Sequence, residues 1–313
     1  MILITGGTGF IGRALIRNLT EAGMEARVLI RPSPKSPALP RGVPMEVAVC
    51  GLSDERGLRA AMVGVDSVYH LASGEWGGTR ASLLDVDIRG TQAIASMAKE
   101  AGVSRLFYIS HLGADRASAY PVFKAKAIAE EHIRRSGVDY TILRSAIVFG
   151  VGDSFSTGLA RILHSFPFFF AIPGDGQVLL QPLWVEDLVT CLVWAREDER
   201  TRNQVYEIGG PEALTFRQIA GEIMESSGVK RTFLPIRPPY LRGLTVVLEQ
   251  LFPGLPVSVY WLDYLATNHT CALDSLPRNF NLMPSRFAQR LAYLSGQNWR
   301  MSLVQAFRRR GRP

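Results

Sequence analysis

Glycines 6, 9 and 12 recur every third residue in Ile2-Leu3-Ile4-Thr5-Gly6-Gly7-Thr8-Gly9-Phe10-Ile11-Gly12, and they are the residues best suited to hold a ligand. Without a Cβ they let the chain turn tightly, let backbone amides approach a pyrophosphate, and let a helix sit close on a strand. The spacing alone is common; its context gives it meaning. Three apolar residues before it read as a buried strand, and Ala14, Leu15, Ile16 and Leu19 after it follow a helical period. The free N–H groups and the positive dipole end of that helix would face phosphates. This is expected to be a dinucleotide site.

A second strand is expected at residues 25–30, and Arg31 follows it with Lys35 close behind. In NAD-type sites an acidic residue here binds the ribose 2′-hydroxyl. A guanidinium suits a 2′-phosphate instead, which favours NADP(H) over NAD(H). The alternative is an ordinary solvated arginine before a proline-rich loop. His70 and His111 fall at carboxyl ends of expected strands, where sites in open parallel sheets gather. His111 directly follows Ser110 and could assist proton transfer. The simpler expectation for each is a histidine hydrogen-bonded at the sheet.

The elements that must position these groups alternate. Strands are expected at 45–49, 65–72, 105–110 and 138–143. Helices are expected at 53–63 with Ser53 as cap, at 79–101, and at 125–135 ended by Gly137. Strand and helix alternating without hairpin signals predict an α/β fold, a Rossmann-type doubly wound parallel sheet. Residues 1–150 form the expected nucleotide-binding domain, with a later sheet strand from 203–208. Residues 151–313 form a smaller, mostly helical lobe on the substrate side, interleaved with the sheet. Within it, helices are expected at 155–166, 184–194, 240–251, 258–266 and 285–294, and Thr215 with Gln218 forms a capping-box pattern opening another.

A chain of 313 residues with 47% hydrophobic and 20% charged residues describes a globular protein. Cys50, Cys191 and Cys271 are scattered, which suggests a reducing compartment and neither a disulfide framework nor a metal pattern. The glycine motif begins at residue 2, leaving no expected signal peptide, and no apolar run reaches the roughly 20 residues of a membrane-spanning helix. The expected location is cytoplasmic. The net charge of +7 raises nucleic acid as a partner, but part of it sits in the run Arg308-Arg309-Arg310-Gly311-Arg312, read as a solvated end. Leu241, Leu244, Val247, Leu248 and Leu251 make a stripe that could touch a membrane surface; folding back on the lobe is the expected fate. The phenylalanines of residues 166–170 are read as core or pocket lining, with peripheral membrane contact left open.

TGGTGFIG at 5–12, GVDSVYHLAS at 64–73, IRGTQAI at 88–94, DYTILRSAIVFG at 139–150, QPLWVEDLV at 181–189 and YEIGGPEALT at 206–215 follow one another in a familiar order. Over residues 1 to about 230 the chain resembles the short-chain dehydrogenase/reductase superfamily, in its extended and atypical branches. The atypical group that includes the nucleotide-binding accessory subunit of respiratory complex I and photosystem assembly factors is most similar. The resemblance implies that Thr8, Gly9, Phe10 and Ile11, within the Gly6–Gly12 turn, meet the pyrophosphate. It implies that Leu71, Ala72 and Ser73 line the adenosine side and that Ile147 and Val148 lie near the nicotinamide. Gly51 stands where relatives often carry an adenine-side aspartate, and Ser145 where they carry a proline.

Active members of the superfamily use a tyrosine and, one helical turn later, a lysine that lowers its pKa and holds the ribose. Tyr120 and Lys124 have that spacing, since i and i+4 share a helix face. Counting back from Thr141-Ile142-Leu143-Arg144 instead makes Lys126 the family lysine and puts Val122 at the tyrosine's place. Pro121 also disfavours a helical Tyr120. Asp87 replaces the family's asparagine, and Ser110 matches its serine or threonine. Three readings follow. The first is an NADPH-dependent oxidoreductase on a small carbonyl or hydroxyl compound, or an epimerase- or dehydratase-like enzyme, using Lys126 with Ser110, or Tyr120. The second is a catalytically degenerate NADP(H)-binding subunit or assembly factor with a protein partner. The third is an RNA-binding adaptor, supported only by basic charge.

Overall fold

The computed structural model describes residues 1–34, 36–40, 42–251, 258–299 and 301. Lys35 and the arginines of 308–312 lie outside the described residues. Seven strands make the central sheet: β1 (Ile2–Thr5), β2 (Ala26–Ile30), β3 (Glu46–Val49), β4 (Ser67–His70), β5 (Arg105–His111), β6 (Tyr140–Ser145) and β7 (Gln204–Ile208). Their order across the sheet is β7-β6-β5-β4-β1-β2-β3, and every pairing is parallel. The order reverses between β1 and β4, and in such sheets ligands bind at that switch point, outside the carboxyl ends of the strands.

Parallel strands are buried on both faces, so alternate residues feed two cores. Ile2, Ile4, Val28, Tyr69 and Phe107 pack with α1 (Phe10–Glu21) and α6 (Val185–Glu197). Leu3, Leu29, Val68, Leu106 and Tyr108 face the other way, toward α2 (Glu55–Ala61), α3 (Thr91–Glu100) and α4 (Pro121–Ser136). Arg105, buried at the start of β5, bonds the Ala195 and Asp198 carbonyls at 2.7 and 3.1 Å and the Thr201 hydroxyl at 3.0 Å. It thereby fixes the end of α6 against the sheet.

A third core fills the lobe built by α5 (Ser156–Ser165), α7 (Phe216–Ser227), α8 (Pro238–Leu251), α9 (Val259–Tyr264) and the paired strands Phe169–Pro173 and Thr232–Ile236. The Thr215–Gln218 capping box is formed and opens α7. A further short helix, α10 (Ser275–Phe280), packs beside α6 and β7.

Several boundaries differ from the sequence expectation. Asp54, not Ser53, caps α2, its carboxylate accepting from the Gly57 N–H at 2.9 Å, and an anion suits the positive end of a helix. The expected helix over 79–101 is broken. Gly78 sits at φ +56° within a tight turn at Glu75–Arg80, a wide π-type turn spans Leu83–Gly90, and α3 starts only at Thr91. α4 begins four residues earlier than read, because Pro121 occupies the first helical position, where its missing N–H costs nothing. The 240–251 stripe is split. Leu241, Leu244 and Leu248 line a cavity, whereas Val247 and Leu251 face outward.

Candidate functional site

The glycine turn joins β1 to α1. Gly6 has φ +71°, a left-handed conformation that costs glycine nothing, and its carbonyl accepts from the Gly9 N–H at 2.9 Å. The first helical bond runs from the Arg13 N–H to the Gly9 carbonyl at 3.0 Å, which leaves Phe10, Ile11 and Gly12 without an intrahelical acceptor for their N–H groups. A Cβ on Gly12 would come within 2.4 Å of the Gly6 carbonyl oxygen, and one on Gly6 within 2.6 Å of the Ala72 nitrogen. The turn is therefore a bare-backbone cradle at a helix N-terminus, the arrangement that a pyrophosphate requires. The residues present fit a dinucleotide.

Neighbouring strand ends complete the rim. Leu71 donates to the Thr5 carbonyl at 3.1 Å and Ala72 to the Thr5 hydroxyl at 3.3 Å, so residues 71–73 lie against the turn. On the other side, a Cβ at Gly150 would come 3.2 Å from the Phe10 ring, which brings the segment after β6, with Ile147 and Val148, to the start of α1. Ile147 is buried, its carbonyl accepting from Leu183, while Val148 is half-buried. Arg31 follows β2 directly, is exposed, and has no ion pair among the described residues. Arg13, which the sequence reading did not single out, donates to the Thr8 carbonyl at 2.7 Å at the mouth of the turn.

A charged cluster is buried beside this rim. Lys126 on α4 is 4% exposed, and its Nζ lies 3.3 Å from Asp87 Oδ1, 3.4 Å from Glu75 Oε2 and 5.4 Å from the Tyr108 ring centre. Asp87 is held in turn by the Ser73 hydroxyl at 2.6 Å and the Gly74 N–H at 2.8 Å. His111 Nε2 lies 2.9 Å from Glu75 Oε2, and the ring sits among Phe123, Tyr260 and Tyr264. Burial alone would raise the Glu75 carboxyl, but the Lys126 ammonium and His111 hold it below the usual carboxylate range. Burial likewise works against the Lys126 charge, and Tyr108, Glu75 and Asp87 raise its pKa above the ordinary lysine value.

The two candidate registers for the lysine look different in space. Lys124 is exposed and Lys126 is buried. Tyr120 is the residue before α4, extended at φ −94°, with its ring edge-on to Phe123 at 6.2 Å. Val122, one turn before Lys126, is buried in the lobe core. Ser110 shares a strand face with Tyr108 and so points toward α4; its hydroxyl is buried without a hydrogen-bond partner among the described residues. His70 is a structural residue, its two ring nitrogens 2.7 Å from the Thr5 hydroxyl and 2.9 Å from that of Thr91.

Glu75 went unnoticed in the sequence. It lies in a glycine-flanked segment with no periodicity, and its burial depends on partners distant along the chain. Asp153 and Asp187 accept backbone N–H bonds, from Ser156 at 2.8 Å and Ser285 at 2.7 Å, and Glu186 pairs with Arg17 at the surface. Among the described residues no group of three or more His, Cys, Asp or Glu side chains is placed to hold a metal, and no helix is long and apolar enough to cross a membrane.

The sheet order, the glycine cradle and the rim define a dinucleotide-binding protein of Rossmann type. An NAD(P)H-binding family model matches residues 6–151. The chain is 31% identical over 230 residues to subunit 9 of the mitochondrial NADH dehydrogenase [ubiquinone] 1 alpha subcomplex of Arabidopsis thaliana. That match takes in 71% of this chain but only 56% of the relative's length. It is 27% identical over 299 residues to an NAD(P)H azoreductase of Xenophilus azovorans, covering 89% of this chain and 92% of that protein. Among solved structures, an epimerase of Methanothermobacter thermautotrophicus superposes with a TM-score of 0.74 at 18% identity, over 98% of this chain and 94% of that one, a likeness of fold. Residues 6–151 form an NAD(P)H-binding domain, and the chain is similar in sequence and fold to atypical short-chain dehydrogenase/reductases.

Proposed function

We propose that the protein binds NADP(H) in preference to NAD(H) and uses it to reduce or oxidise a small carbonyl or hydroxyl compound. The observation that carries this reading is Lys126, buried beside the rim at the carboxyl ends of the strands and paired with Asp87 and Glu75; from there it would hold the ribose. The cofactor would supply or accept the hydride. Gly6, Thr8, Gly9, Phe10, Ile11 and Gly12 would hold its phosphates, Arg31 would face the 2′-phosphate, and Leu71, Ala72 and Ser73 would line the adenosine side. Ile147 and Val148 would border the nicotinamide. Ser110 would donate its hydroxyl proton to the substrate oxygen as a hydrogen bond. Val122 cannot move a proton, so His111, paired with Glu75, would carry it in place of a phenol.

Isothermal calorimetry with NADPH and NADH, followed by absorbance of the reduced coenzyme across a panel of carbonyl compounds, tests the reading. Turnover is expected to survive Tyr120→Phe and to be lost in Lys126→Ala. Loss on Tyr120→Phe would return the tyrosine role to Tyr120. A second reading, a cofactor-holding subunit or assembly factor with little turnover, is favoured by Val122 at the tyrosine's place and by similarity to a complex I subunit. It expects coenzyme binding without consumption and a stable protein partner in pull-downs.

A further inference from the structure

A cavity of about 330 Å³ lies in the lobe, within the size range of small-molecule sites, roughly 300–1,000 Å³. Its walls are hydrocarbon: Phe155, Phe170 and Trp261 on one side, Leu241, Leu244 and Leu248 of α8 on the other. Among the described residues the polar side chains on it are the hydroxyls of Ser154, Thr245 and Ser258, and no titratable group lines it. Phe166, Phe169, Leu234 and Leu244 on its rim are about half exposed, so it opens to solvent, and its apolar lining suits a hydrocarbon that enters from there.

Gly158 gives an independent sign that the space is kept open. It is buried in the first turn of α5 and lines the cavity, yet among the described residues a Cβ built on it would meet no atom beyond its own helix backbone within 4 Å. Its φ does not require glycine, so neither backbone strain nor a close neighbour accounts for the missing side chain.

The cavity also adjoins the charged cluster. α9 is a shared wall: Trp261, Leu262 and Leu265 border the cavity, while Tyr260 and Tyr264 stand 6.4 and 6.1 Å from the His111 ring. We infer that the cavity binds an unbranched aliphatic chain, so that the substrate is a lipid-like carbonyl or alcohol whose polar head lies on the cluster side of α9. The tail site stands on the cavity alone. The placement of the head rests on the oxidoreductase reading above.

The test is calorimetric titration of the intact protein with 1-hexanol, 1-octanol and 1-decanol, in wild type and in Gly158→Leu. Affinity is expected to rise about fourfold per added methylene until the cavity is filled. Gly158→Leu should fold normally, keep its NADPH affinity, and weaken decanol binding by about tenfold or more, because the leucine occupies the tail's place. Equal decanol binding by both proteins, or affinity independent of chain length, overturns the inference. So does co-sedimentation with phosphatidylcholine vesicles without any signal for the alcohols, which would make this face a contact for lipid surfaces. Failure of wild type to bind NADPH while still binding decanol would sink the oxidoreductase reading and leave the tail site standing.

Discussion

Val122 and Lys126 stand one turn apart on the buried side of α4, so the position that precedes the inward lysine carries a hydrocarbon where a proton donor would be useful. Lys126 instead faces two buried carboxylates, Glu75 and Asp87. Removing the cation leaves Asp87 without a counter-charge and Glu75 with His111 alone, and breaking a buried pair in this way costs about 3–5 kcal/mol. Lys126→Met is expected to lose that much stability in urea denaturation at neutral pH, and Glu75→Gln with Asp87→Asn added to it should recover most of the loss. A Lys126→Met cost under about 1 kcal/mol would contradict the buried cluster.

Arg31 follows β2, exposed and with no carboxylate paired to it among the described residues, and in the proposed NADP(H) reading it would face the 2′-phosphate. Arg31→Asp should reverse the coenzyme preference, weakening NADPH by about tenfold or more, roughly 1.4 kcal/mol, and sparing NADH. Unchanged NADPH affinity in calorimetry would remove the preference.

Gly12→Val places carbon within 2.4 Å of the Gly6 carbonyl oxygen and 2.6 Å of Gly7 Cα, and backbone on both sides cannot yield cheaply. The expected result is loss of coenzyme binding, with a stability cost of about 1–3 kcal/mol from overpacking. Gly221→Ala in α7, where a Cβ meets no described neighbour within 4 Å, is the control and should leave coenzyme binding unchanged while raising stability by about 0.5–1 kcal/mol, since alanine suits a helix interior better than glycine.

The pH dependence follows from the buried imidazoles. Burial pushes His70 down to about 3, with the Lys126 charge adding to it, and burial takes His269 to about 4. Below about pH 6.5 the unfolded chain takes up these protons and the folded chain does not, so stability falls with falling pH. Each group contributes about 1.4 kcal/mol per pH unit until its folded pKa is reached, and nothing above about pH 6.5. Urea denaturation at pH 7, 6 and 5 should show the decline, and His70→Gln should make it shallower. A flat wild-type profile from pH 6.5 to 5 would refute neutral burial.

The sheet was legible in the sequence because its strands are buried on both faces and are written as near-continuous apolar runs such as Ile2-Leu3-Ile4 and Leu106-Phe107-Tyr108. The glycine turn was legible because its geometry is local: a strand, a turn and a helix within one dozen residues. The stretch between β4 and α3 was not. Its path depends on Gly78 at positive φ and on Glu75 finding Lys126 and His111, partners from two other elements. The cavity was equally hidden, since Leu159, Trp261 and Leu241 come from three helices whose mutual placement no single periodicity encodes.

β1 lies in the interior of the sheet, between residues 26–29 and 67–70, and β6 receives its outer neighbour only from residues 204–208. A nascent chain leaving the ribosome can therefore assemble the first six strands while β6 still presents bare N–H and C=O groups to its surroundings. Until some sixty further residues have been translated, that ledge is open to chaperones or to the same strand of another growing chain. Fragments that stop between residues 146 and 203 should accordingly aggregate more readily than the full chain.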